Sequence, residues 1–195
     1  MMEVRGMGRF QGRKAIVTGG SKGLGRSTAE RLLLEGAEVL ITGRDEEDLA
    51  GTVAELSERG AVSGLAGDLS EPAACTELIA TAAERMGGID VLVNNAGVFD
   101  EAEFLEIELE NWQFVLAVML QAPFLLSQQA GRLMAEVGGG AIVNLASIDG
   151  HSADGPYTSY SVAKAGLLQL TRNTAVELGP KGVRANSVSP GWALT

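Results

Sequence analysis

The chain has little of the residues that mark several protein classes. One cysteine, Cys75, stands among 195 residues. That excludes an intrachain disulfide framework and fits a reducing compartment. His151 is the only histidine, and no second His or Cys clusters with it to suggest a metal site. Proline is scarce at 5 residues, and the 26 glycines fall in scattered turns, which excludes collagen-like and low-complexity chains. Positive charge is in deficit, leaving a formal net charge of -10. Such a balance argues against binding a nucleic-acid backbone or an anionic membrane surface, while leaving room for a local basic pocket around a phosphate. No basic-then-apolar signal segment opens the chain, and the longest apolar runs read as too short and interrupted to span a bilayer. The expectation is a soluble cytoplasmic protein with neither nucleic acid nor membrane as partner.

What is present suits a globular core. The chain is 46% hydrophobic and 21% charged, at a length typical of one domain. Apolar strand-like runs alternate with helical periodicity from Lys14 onward. Lys14–Val17, Glu38–Thr42, Val62–Ala66, Ile89–Val93, Ala141–Leu145 and Val183–Val188 read as six strands. Helices are expected between them, over 25–35, 44–59, 70–86, 108–137 (bent at Pro123) and 156–178. Alternation of this kind predicts a doubly wound α/β domain, a parallel sheet with helices on both faces. With no linker or composition break, residues 1–195 read as a single domain. In such sheets ligands bind outside the carboxyl ends of the strands. Thr18-Gly19, Asp68, Asn94, Ser147 and Pro190-Gly191 all follow predicted strand ends, so they converge on one rim.

Two stretches carry chemistry. Thr18 to Gly25 (TGGSKGLG) joins the first strand to the first helix. Glycines there let the backbone turn tightly and approach a pyrophosphate, whose charge suits the helix N-terminus; a plain tight turn is the simpler alternative. In Tyr160-Ser161-Val162-Ala163-Lys164, a helix places Tyr160 and Lys164 one turn apart on one face. An ammonium near a phenol favours the phenolate, preparing it to exchange a proton with an alcohol or carbonyl. Ser147 nearby could hold the reacting oxygen. Taken alone, the spacing also fits a half-buried tyrosine beside an exposed lysine.

Together these motifs resemble the short-chain dehydrogenase/reductase family: the T-G-x-x-x-G-x-G turn at Thr18–Gly25, N-N-A-G at Asn94–Gly97, Ser147, Y-x-x-x-K at Tyr160–Lys164, and P-G at Pro190–Gly191, in family order over almost the whole chain. The resemblance implies a Rossmann-type, three-layer α/β/α fold and an oxidoreductase interconverting a secondary alcohol and a ketone. Tyr160 would be the general acid/base, Lys164 would tune it and hold the nicotinamide ribose, and Ser147 would bind the substrate oxygen. Gly19, Ser21, Lys22, Gly23, Leu24 and Gly25 would hold the pyrophosphate side. Asp68 and Leu69 would meet the adenine. Asn95, Ala96 and Gly97 would line the adenosine half or simply form a strand-end turn. Pro190, Gly191 and Thr195 would lie near the nicotinamide.

Cofactor choice turns on the end of the second strand, where an acidic residue binds the ribose of NAD. Here Thr42-Gly43-Arg44 stands there, with Lys22 nearby; two cations favour NADP(H) over NAD(H). Val98, Phe99, Asp149, His151, Tyr157 and Trp192 fall where the family's pocket walls lie. They do not choose among a sugar, a keto-ester, a steroid and an acyl chain as the small-molecule carbonyl or alcohol. The helices around 70–86 and 108–137 resemble those that pair subunits in the family, so a homodimer or homotetramer is expected. Two departures stand out. Met119 occupies the place of the family's helix-bending asparagine, and a thioether cannot replace an amide in a proton relay. The chain also stops at Thr195, before the family's substrate loop and last strand, which predicts a truncated form with an exposed apolar edge at 183–188. These departures keep open a second reading, a cofactor-binding regulatory or scaffold protein without turnover.

Overall fold

Short runs of β-branched and aliphatic residues, flanked by glycine or polar turns, become six parallel strands: β1 (Lys14–Val17), β2 (Glu38–Gly43), β3 (Val62–Ala66), β4 (Val91–Asn94), β5 (Gly140–Leu145) and β6 (Val183–Val188). The computed structural model describes residues 8–99, 101–153 and 155–193. The sheet order is β3-β2-β1-β4-β5-β6, as expected for a Rossmann-type doubly wound sheet. The direction of winding reverses between β1 and β4, which opens a crevice at their carboxyl ends.

Helices α1 (Gly23–Leu34), α2 (Glu46–Leu56), α3 (Pro72–Met86), α4 (Leu109–Leu116), α5 (Ala122–Glu136) and α6 (Thr158–Leu178) fill the crossovers. The period of two along each strand divides the core between the faces. Ile16, Leu40, Leu92 and Ile142 pack with α3 and α5, whereas Val17, Val39, Ile41 and Val93 pack with α1 and α2. Each fully buried aliphatic side chain contributes about 1.5–3 kcal/mol. Local chemistry sets the helix ends. The Asp45 carboxylate accepts from Asp48 N at 2.8 Å to start α2. Pro72 opens α3, and Gly87 at φ 70° ends it.

Three expectations are corrected. The irregularity in the 108–137 stretch lies not at Pro123 but at Ala117–Gln121, a π-helical turn between α4 and α5. Pro123 sits in the first turn of α5, where a missing N–H breaks no helical bond. Leu109–Glu136 is, by length and composition, long and apolar enough to cross a membrane, contrary to the reading that no run reaches that length. Half of its apolar 18-residue portion is buried, and Val115, Met119, Leu126, Ala130 and Met134 pack inside the protein. The outer strand β6 is an edge that is only partly apolar: Val183 and Ala185 are buried and Arg184 and Asn186 exposed, which leaves Val188 as its exposed apolar side chain.

Away from the strand ends, Glu35 is a fully buried carboxylate. It accepts from Arg9 Nη2 at 2.8 Å and Arg31 Nη2 at 2.5 Å. The Arg9 bond, with Arg31 adding to it, holds the carboxyl down at about 2 against the opposing pull of burial.

Candidate active site

The end of the first strand is stapled to the end of the fourth by polar groups. Thr18, just past β1, is buried, and its Oγ1 accepts from Asn95 N at 2.9 Å and Ala96 N at 3.0 Å. The Asn95 amide in turn donates to Thr18 O at 2.8 Å and Gly19 O at 3.1 Å. This clasp draws the backbone so close that two positions accept only glycine. Gly19 has φ 62°, and a Cβ there would lie 2.9 Å from Ala96 Cα. A Cβ on Gly25 would lie 2.1 Å from Gly19 O and 2.4 Å from Asn95 Nδ2. Beyond the turn, α1 begins with no side-chain cap, leaving its first amides free for an anion.

The crevice is a cleft of 1220 Å³ along the carboxyl ends of the strands. At one end it is lined by Gly19, Ser21, Lys22, Gly23, Leu24, Arg44, Asp68 and Leu69. Asn95, Ala96 and Gly97 lie along its middle, and Ser147, Tyr160, Lys164, Pro190 and Gly191 line its other end. Gly25 lies under the turn, and Thr195 lies outside the described residues. Among the expected pocket walls, Val98, Phe99, Asp149 and Trp192 line the cleft, whereas His151 and Tyr157 do not. His151 instead pairs with Ser189 at 3.0 Å, and Tyr157 packs on Phe99 with ring centroids 5.0 Å apart.

Several side chains already have local partners. Asp68 Oδ1 accepts from Ser70 N at 2.9 Å, the bond of a turn. Lys22 Nζ lies 2.5 Å from Asp48 Oδ2, and that hydrogen bond raises the lysine pKa. The second cation expected at the β2 end is therefore paired with a carboxylate. Arg44 is exposed, its guanidinium 5.9 Å from the Phe114 ring centroid. The sequence reading missed Asp48 because it lies a helical turn beyond the strand end.

At the other end, Lys164 is buried on α6, with Nζ 5.5 Å from the Tyr160 ring centroid. It donates to Leu145 O at 2.5 Å, and burial pushes its pKa down to about 8. Met119 is buried in the π-helical turn beside Val98, Ala163 and Tyr160, and its Sδ accepts from Val98 N at 3.5 Å. The bend thus forms with methionine in place. Ser147 caps the turn Ile148–Gly150, its Oγ accepting from Asp149 N and donating to Asp149 Oδ2, both at 3.2 Å.

Behind the cleft, a buried polar chain links sheet to helices. Asn94 Nδ2 donates to Ser127 Oγ at 3.2 Å and to Asn144 Oδ1 at 2.8 Å, and Asn144 Nδ2 donates to Thr171 Oγ1 at 2.8 Å. Sequence reasoning placed Asn94 at the rim; the alternation of β4 turns it inward instead.

A glycine-lined turn at a doubly wound crevice, with serine, tyrosine and lysine at the far end of the same cleft, is an arrangement suited to a dinucleotide-dependent oxidoreductase. Residues 13–195 match the family described as short chain dehydrogenase. The chain is 36% identical over 188 residues to a 3-alpha-(or 20-beta)-hydroxysteroid dehydrogenase of Mycobacterium bovis, covering 96% of this chain and 72% of that one. It is equally similar, at 36% identity and the same coverage, to a D-threitol dehydrogenase of Mycolicibacterium smegmatis. A crystal structure of a short chain dehydrogenase from Mycobacterium smegmatis superposes with a TM-score of 0.93 at 37% identity, covering 98% of this chain and 81% of that one. The chain belongs to the short-chain dehydrogenase/reductase family. It is an enzyme of a family that oxidises and reduces alcohols and carbonyls of small molecules with NAD(P)(H).

Proposed function

We propose that this enzyme interconverts a secondary alcohol and a ketone, with NADP(H) preferred over NAD(H), and that Ser147, Tyr160 and Lys164 are its catalytic residues. One observation carries the reading: all three line the same cleft as the Gly19–Leu24 turn. The cradle suits a dinucleotide, because the Gly19–Leu24 turn lines the cleft and the uncapped α1 N-terminus suits a pyrophosphate. A nicotinamide bound there would supply the hydride acceptor or donor for the reaction. Gly19, Ser21, Gly23, Leu24 and Gly25 would hold the diphosphate, Asp68 and Leu69 the adenine, and Asn95, Ala96, Gly97, Pro190 and Gly191 the walls beside it.

Tyr160 takes the proton from the substrate alcohol in oxidation and returns it in reduction. Lys164, the buried cation one turn along α6, favours the phenolate. Leu145 O fixes the lysine head by direct hydrogen bond, where Met119 offers no amide to a relay. Arg44 supports the NADP(H) preference as a cation immediately past the β2 end, with Lys22 joining it on release from Asp48. The chain acts as one domain, since cradle and catalytic groups gather at the strand ends of a single sheet and on the helix α6 packed beside it. A cytoplasmic location accords with the buried free thiol of Cys75. A homodimer or homotetramer accords with the half-exposed Phe124 on α5 beside Leu116 on α4 and Leu120 in the π-helical turn, which border an apolar groove.

The test is a panel of secondary alcohols and ketones with both cofactors, run on wild type and Tyr160→Phe. Turnover that falls at least about 10²-fold in the variant, with cofactor affinity retained, is expected. Undiminished turnover in Tyr160→Phe would refute the assignment.

A further inference from the structure

Proton and hydride transfer need only one carbon–oxygen group; the rest of a substrate is chosen by the side chains around it. The candidate walls named from sequence mix polar and aromatic groups, and the structure sorts them. His151 lies outside the cleft, with Nε2 3.0 Å from Ser189 Oγ. Tyr157 is also outside it, packed on Phe99. Asp149 stays in the cleft, but its Oδ2 already accepts from Ser147 Oγ at 3.2 Å.

What remains around Ser147 and Tyr160 is mostly apolar. Val98 and Phe99 follow β4, while Ile148 and Trp192 follow β5 and β6, and all four line the cleft. Phe99 stands edge-on to the Tyr160 ring, with centroids 5.8 Å apart. Ile148 is tied to the segment after β6, its N donating to Pro190 O at 3.2 Å. Phe99 is 58% exposed, Ile148 44% and Trp192 85%. Large apolar side chains left open inside a cleft are surface that a ligand covers, and such sites place few polar groups among them.

Charge narrows the class further. Among the described residues, the cations lining the cleft besides Lys164 are Lys22, Arg26 and Arg44, at the start of α1 and the end of β2. Lys164 is committed to Leu145 O. A substrate carboxylate or phosphate beside Ser147 would find no free cation among them, and the Asp149 charge opposes it.

We propose that the substrate is a neutral secondary alcohol or ketone with an extended apolar body, and that Phe99 and Ile148 are the residues that select it. The apolar body would lie on these two side chains while the reacting oxygen meets Tyr160 and Ser147. The inference rests on the oxidoreductase reading and names its substrate class.

The experiment measures reduction of 2-butanone, 2-hexanone, 2-octanone, 1,3-dihydroxyacetone and pyruvate with NADPH and with NADH. It uses the full chain and the variants Phe99→Ala, Ile148→Ala and Phe99→Leu, each checked for a native circular dichroism spectrum. A fully buried methylene is worth up to about fourfold. 2-Octanone has four methylenes more than 2-butanone, so partial burial predicts a kcat/KM at least about tenfold higher in wild type. Both alanine variants should lower that ratio at least about threefold, chiefly through KM for 2-octanone. Phe99→Leu, which keeps an apolar wall, should retain most of it. A wild type with no rise along the series, or one that prefers dihydroxyacetone or pyruvate to 2-octanone, overturns the inference. So do alanine variants that leave the ratio unchanged or lose all ketones in equal proportion, which mark the two side chains as packing alone. No turnover of any alcohol or ketone with either cofactor overturns the oxidoreductase reading, and the inference falls with it.

Discussion

Replacing Gly25 by alanine tests the nucleotide cradle at its tightest point. The added Cβ would meet Gly19 O at 2.1 Å and Asn95 Nδ2 at 2.4 Å, more than 1 Å inside ordinary van der Waals contact of about 3.5 Å. Neither neighbour is a flexible side-chain end. Gly19 O belongs to the glycine-rich turn, and Asn95 Nδ2 is the amide that clasps Thr18 O and Gly19 O. Relief requires moving the turn or breaking the clasp. Overpacking costs about 1–3 kcal/mol, and the two clasp bonds about 1 kcal/mol each. A loss of about 3–5 kcal/mol follows, which lowers Tm by roughly 6–20 °C at this chain length. The same displacement moves the amides meant for the diphosphate, so NADPH affinity should drop at least tenfold. The control is Gly51→Ala in α2, where a Cβ meets nothing within 4 Å. It should stabilise the fold by about 0.4–1 kcal/mol and leave NADPH binding alone. Thermal melts and NADPH fluorescence titrations read both variants. A Gly25→Ala protein with unchanged Tm and unchanged NADPH affinity would refute the reasoning.

Four further outcomes are expected. Burial lowers the folded pKa of Lys164 to about 8 from 10.5, so between those values the unfolded chain binds more protons and stability from this group rises with pH. Lys164→Met should abolish that rise in melts run from pH 7 to 11; an identical slope in both proteins would count against it. Glu35 has the opposite linkage, its folded pKa near 2 against 4.5, so its contribution is present above pH 4.5 and is lost as pH falls toward 2. Glu35→Gln should flatten the acid limb of the stability curve, and an unchanged limb would show that the Arg9 and Arg31 bonds contribute nothing. Arg44→Asp should move preference toward NADH by tenfold or more in kcat/KM, whereas Asp48→Asn, which frees Lys22, should strengthen NADPH binding; the reverse order in either case sinks the cation argument. Met119→Asn should raise turnover on an accepted substrate by giving the π-helical turn an amide, and no gain on any substrate would show that the Leu145 carbonyl suffices.

The parts of the fold that repeat a period were readable in the chain. Strands such as Val39–Ile41 are apolar on both faces because helices cover both, and the run says so without alternation. The glycine turn was readable because close backbone approach leaves no other residue possible at Gly19 and Gly25. What the sequence concealed depends on which side chains meet. Pro123 is a stronger local breaker than anything in Ala117–Gln121, yet the irregularity falls on the latter because packing of Met119 and Val118 against α6 fixes the helix on both sides of it. Lys22 looked like a phosphate ligand from its place in the turn, and only the fold brings Asp48 to it. Asp149 sat two residues from Ser147 throughout, but spacing alone did not reveal that its carboxylate would accept from the Ser147 hydroxyl.

The chain of amides and hydroxyls from Asn94 through Asn144 to Thr171 has a consequence for how α6 is held. An apolar seam between a helix and a sheet is forgiving, since a shift by one turn exchanges one set of aliphatic contacts for another of similar worth. A donor that must meet one particular hydroxyl is not forgiving, and Thr171 lies on the same helix as Tyr160 and Lys164. The network thus acts as an index pin, fixing the rotation and height of α6 against β5 whatever it adds to the free energy of folding. Replacing Asn94, Asn144 and Thr171 together by apolar residues of like volume should leave a protein that melts no lower but whose phenol and ammonium no longer keep a single address in the cleft.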